Sequence, residues 1–80
     1  MLTEYIQTAM KQAEFEPLED DRTIFGRIPG FQGVWANAET VESCHRELQE
    51  VLEDWILISL RRHLPLPIVA GIDLNVKEAV

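Results

Sequence analysis

Eighty residues with a net charge of −7 make one small domain, and that charge argues against unaided nucleic-acid binding, which needs lysine and arginine to neutralise phosphates. A hydrophobic content of 46% argues against a disordered chain, and a single cysteine excludes an internal disulfide. The N-terminus has no basic and apolar signal segment, and no run approaches the roughly 18 apolar residues of a membrane span, so the simplest location is the cytoplasm.

In chain order, Thr3 to Gln12 places Tyr5, Ile6, Ala9 and Met10 at helical spacing, with Thr3 as a candidate N-cap and Glu4 in the first turn. A helix this short is marginal alone and must dock on something. Ala13 to Leu18 alternates, with Ala13 and Phe15 on one face and Glu14 and Glu16 on the other, and Pro17 confines it to an edge or a strand end. Glu19-Asp20-Asp21-Arg22 is a polar turn. Thr23 to Ile28 is a second strand, with Ile24, Gly26 and Ile28 on one side. Pro29-Gly30-Phe31-Gln32-Gly33 is a turn, and Val34-Trp35-Ala36 a short third strand.

The dominant element is a helix from about Thr40 to about His63, roughly 35 Å long at about 1.5 Å per residue. Val41, Cys44, Leu48, Val51, Leu52 and Trp55 form one apolar stripe along it. Its last two turns, with Ile56, Leu57, Ile58 and Leu60, are apolar nearly all round and need a second cover. Leu64-Pro65-Leu66-Pro67 stops the helix. Ile68 to Val76 alternates again and reads as a fourth strand, pairing within the chain or with a neighbour. The whole is an α+β domain over residues 1–80, with its core at about 13–76. A three-stranded antiparallel meander is covered by one long helix, with a short N-terminal helix and a C-terminal strand.

Few residues suggest chemistry. Cys44 and His45 are helix neighbours and point about 100° apart, so they cannot form a nucleophile–base pair. Cys44 belongs to the core stripe instead. His45 and His63 lack metal-ligand spacing, and His63 with Arg61 and Arg62 suits the negative end of the helix dipole. The acidic cluster Glu14, Glu16, Glu19, Asp20 and Asp21 reads as solvated surface or as a recognition face for a basic partner. A magnesium-dependent nuclease would need a partner carboxylate from a clearly different element. Trp35 reads as core or sheet-face packing, with an interface anchor as the lesser reading. No catalytic residue, metal or cofactor is expected.

The stretch Gly26-Arg27-Ile28-Pro29-Gly30-Phe31-Gln32-Gly33-Val34-Trp35-Ala36, with Thr40, Glu42, Cys44, Glu47-Leu48, Leu52-Glu53-Asp54-Trp55 and Pro65-Leu66-Pro67, resembles the HicB family of antitoxins. The match covers about Glu14 to Pro67. Gly30 and Gln32 depart from it, standing where an acidic residue and a proline are common. The resemblance implies a β-β-β-α-β fold similar to part of a ribonuclease H domain. It also implies a non-enzymatic role, in which the protein occludes a small, basic, mRNA-cleaving HicA toxin. Many members of that family carry a C-terminal DNA-binding segment, and operator binding is not expected of these 80 residues. The alternative is a self-associating module of the same fold with no toxin. Under either reading the surplus apolar surface at Leu57 and Leu60, joined by Tyr5 and Ile6, predicts a homo-oligomer, a dimer or tetramer.

Overall fold

Alternation at period two builds the sheet, and apolar residues at period 3.6 build the helices before and after it. The computed structural model describes residues 2–74, in the order α1 (Leu2–Lys11), β1 (Glu14–Leu18), β2 (Thr23–Arg27), β3 (Trp35–Ala38) and α2 (Val41–Arg61). The strands form one antiparallel sheet in the order β1-β2-β3, which is the expected meander. Most boundaries shift by a residue or two from expectation, and two of the shifts have a visible cause. Helix α1 begins at Leu2, so Thr3 lies inside its first turn and does not cap it. Strand β3 starts at Trp35 because a turn takes up Val34, whose N–H donates to the Phe31 carbonyl at 3.3 Å.

The sheet meets α2 at a glycine. Phe15, Gly26 and Ala36 are aligned across the three strands on the inner face. A Cβ on Gly26 would lie 2.8 Å from Phe15 Cε1 and 2.9 Å from Cys44 Sγ. The missing side chain is what lets α2 seat Cys44 against the sheet, with its thiol donating to the Ala36 carbonyl at 3.6 Å. From there the helix buries Cys44, Leu48, Leu52 and Ile56 at successive four-residue steps. Leu48, Leu52 and Ile56 each contribute about 1.5–3 kcal/mol by leaving water. Val51 and Trp55 are half-buried beside them. Val41, read from sequence as part of this stripe, is exposed. It is the first helical residue, and side chains tilt toward the helix N-terminus, so it points past the contact.

Thr40 caps α2, its Oγ1 accepting from the Ser43 N–H at 3.0 Å. At the other end His63 takes a left-handed φ of 54°. The Leu64 N–H reaches the Ser59 carbonyl at 2.9 Å and the His63 N–H reaches that of Leu60 at 3.3 Å, the Schellman pattern.

Helix α1 docks on the far end of this core through Tyr5, Ala9 and Met10. Phe31 joins the two helices. Its ring meets Tyr5 edge-on at 6.2 Å and Trp55 edge-on at 5.3 Å. It is delivered there by consecutive tight turns, Ile28–Phe31 and Phe31–Val34, whose third residues Gly30 and Gly33 have φ of 88° and 84°. A type II turn requires that conformation, with Pro29 suited to the position before Gly30.

No fourth strand forms among the described residues. Val69 and Ile72 pair only with each other, exchanging bonds of 3.1 and 2.8 Å across Ala70 and Gly71. Both central residues have positive φ, 48° and 80°, as a two-residue hairpin turn demands, and this reverses the chain where an extended strand was expected. Asn75 and Val76, the end of that expected strand, lie outside the described residues. Leu66 and Val69 instead plug the core.

Candidate functional site

Helix α2 covers one face of the sheet, and the opposite face is open. The register puts Glu14, Arg27 and Trp35 in one outward row and Glu16, Phe25 and Asn37 in the next. Trp35 is 56% exposed, and its ring stacks on Phe25 at 6.0 Å and 28°. A shallow depression of about 320 Å³ lies beside this pair, lined by Phe25, Arg27, Gln32 and Trp35 among others. A smaller one of about 190 Å³, bordered by Glu14, Glu16, Phe25 and Arg27, adjoins it. Large aromatics left in water on a flat strand surface are unfavourable unless another molecule covers them.

The acidic residues divide into four groups around this face. Glu14 is paired with Arg27, Oε1 to Nη2 at 2.9 Å, and both side chains are more than half exposed. Such a pair adds only about 0–1 kcal/mol to stability. Its effect is to spread both charges beside the aromatic pair. Glu16 stands in the Phe25 row with its carboxylate exposed. Glu19 and Asp20 are exposed in the β1–β2 turn. Asp21 has a structural task. Its Oδ1 accepts from the Thr23 hydroxyl at 2.6 Å and the Thr23 N–H at 3.1 Å, and those bonds hold its carboxyl below the usual carboxylate range. The Asn37 amide donates to the same Thr23 hydroxyl at 2.6 Å and to the Ile24 carbonyl at 3.2 Å, extending the brace from the β1–β2 turn through β2 to β3.

Sequence reasoning found the acids and missed the aromatic pair. The signal was strand parity. With Ala36 facing α2, its neighbour Trp35 must face outward, and antiparallel pairing then sets it beside Phe25.

The other candidate residues sit elsewhere. Cys44 is buried, and burial first, then the nearby Glu47 charge, pushes its thiol up. The His45 ring stacks on Phe15 at 6.0 Å. Among the described residues no group of three or more His, Cys, Asp and Glu side chains could hold a metal ion. Of the residues expected at an oligomer interface, Tyr5 is fully buried in the core. Ile6, Leu57 and Leu60 line an open groove of about 270 Å³ with Leu2, Glu53 and Ile56. Leu57 is 59% exposed there. Among the described residues no helix is long and apolar enough to cross a membrane.

Comparison with known proteins places the chain. A crystal structure of TTHA0281 from Thermus thermophilus superposes with a TM-score of 0.87 at 34% identity, over 96% of this chain and 95% of that one. No curated protein matches. A family model described as UPF0150-like matches residues 4–67, from α1 through α2 to Pro67. The chain therefore belongs to the UPF0150-like family, a family of small HicB-like antitoxin-type proteins.

Proposed function

We propose that this protein is the antitoxin of a HicB-type pair and that its outer sheet face covers a small, basic, mRNA-cleaving HicA-like toxin. The observation that carries the reading is the Phe25–Trp35 stack, Trp35 exposed and Phe25 half-buried beneath it, set on an open sheet face with Glu14 and Glu16 beside it and Glu19 and Asp20 at its end. Interface anchors are typically large aromatics at the centre of a patch, and opposite charge at the rim speeds and orients encounter. A toxin that binds RNA presents a basic surface, and a net charge of −7 complements it. The protein performs no chemistry in this account. It blocks the toxin by occupying the face that RNA needs, in the cytoplasm where both meet mRNA. The sheet-and-helix core would then be the partial ribonuclease H-like unit of HicB proteins.

The groove at Leu57 favours a second reading, a self-associating module of the same fold without a toxin. One co-purification separates the two. The tagged protein is expressed with the product of its neighbouring gene. The antitoxin reading expects a small basic protein to co-elute in fixed ratio and to degrade RNA once released. Co-elution that survives Trp35→Ala together with Phe25→Ala would remove the outer face from the account.

A further inference from the structure

The α1–α2 groove has a charge pattern that matches itself. Leu57 is the most exposed apolar side chain of α2. Four residues before it stands Glu53, with Asp54 adjoining, and four residues after it stands Arg61, all exposed. Glu53 accepts only from the Gln49 amide, at 3.2 Å, and neither Asp54 nor Arg61 has an ion-pair partner among the described residues. We infer that a second copy of this chain occupies the groove, its α2 antiparallel to the first about a two-fold axis at Leu57.

The geometry follows from the helix repeat. Residues four before and four after Leu57 lie about 6 Å along the axis in opposite directions and stay within about 40° of its face. A two-fold axis at Leu57 reverses the direction of the second helix. Arg61 of each copy then comes level with Glu53 and Asp54 of the other, so two charge clusters form while Leu57 packs on Leu57. The interface is isologous, as a two-fold dimer requires. Parallel packing would instead set Glu53 against Glu53 and Arg61 against Arg61. Leu2, Ile6 and Leu60 supply the apolar margin on the α1 side. Because α2 lies on the inner side of the sheet, the dimer leaves both outer faces free, and two partner molecules can bind one dimer.

Sedimentation equilibrium of the purified protein tests this, with three variants whose folding is checked by far-UV circular dichroism. The wild type should be a dimer or a multiple of one, and Leu57→Asp a folded monomer. Arg61→Glu should weaken association at least tenfold. The triple variant Arg61→Glu, Glu53→Arg, Asp54→Arg should recover it, because the pairs re-form with signs exchanged. A monomeric wild type would overturn the inference. Association unaffected by Arg61→Glu, or not recovered by the exchange, would overturn the antiparallel arrangement. Toxin binding is measured separately, so its failure leaves this result standing.

Discussion

Tyr5 donates its hydroxyl proton to the Pro67 carbonyl at 2.6 Å, joining residues 62 apart in sequence. The bond fastens the N-terminal helix to the segment that leaves α2, and the same ring packs edge-on against Phe31. One side chain thus ties α1, the Pro-Gly turn and the post-helix segment together.

Tyr5→Phe keeps the ring contact and removes the bond. It should cost about 1 kcal/mol, the net worth of one such hydrogen bond with the acceptor partly rehydrated. Urea unfolding followed by tryptophan fluorescence would read this as a lower midpoint at unchanged slope.

The same phenol makes the fold sensitive to alkali. Burial, and then the negative charge of Asp73, push its pKa above the ordinary value of about 10. The proton is held more tightly in the folded state, so this contribution is complete below the unfolded pKa and disappears as pH rises through the folded one. Wild type and Tyr5→Phe should therefore converge in stability above about pH 10. Urea midpoints of the two proteins over a pH series would show whether the gap closes.

At the sheet–helix contact, Gly26→Ala should destabilise by about 1–3 kcal/mol through overpacking. The added methyl meets the Phe15 ring at 2.8 Å and Cys44 Sγ at 2.9 Å. Cys44→Ala removes one of those obstacles. The double variant should be less destabilised than the sum of the singles by about 0.5 kcal/mol or more, which a double-mutant cycle measures.

His63 closes α2 in a left-handed conformation that suits glycine better. His63→Gly should raise stability by about 0.5–1 kcal/mol, since relief of a backbone cost of roughly 1–2 kcal/mol exceeds the added freedom of the unfolded chain. A higher thermal midpoint with an unchanged circular dichroism spectrum is the expected result.

How far the sequence reaches depends on the physics involved. The meander and α2 were legible because Glu14-Phe15-Glu16 alternates and Cys44, Leu48 and Leu52 recur on one helix face. Both patterns depend on burial, which is local to one element. That no fourth strand forms among the described residues was not legible, because Ile72 and Leu74 alternate as a strand would while Ala70 and Gly71 turn the backbone back. That turn is set by dihedral angles that the apolar pattern does not encode. The site was half legible. Clustering drew attention to five acids, but Asp21 is occupied in bracing Thr23. The Phe25–Trp35 stack depends on register between two strands, a relationship that neither strand shows alone.

In the antitoxin reading the outer sheet face binds a basic toxin through that stack. The most direct measurement is calorimetric titration of the purified basic neighbour into the wild type and into Trp35→Ala. Trp35 is exposed, so the variant should keep its folding stability within about 0.5 kcal/mol. The expected result is saturable binding by the wild type and a loss of at least 2 kcal/mol of affinity, about thirtyfold, in Trp35→Ala. Equal affinity in the two proteins, or no binding by the wild type, would contradict the claim.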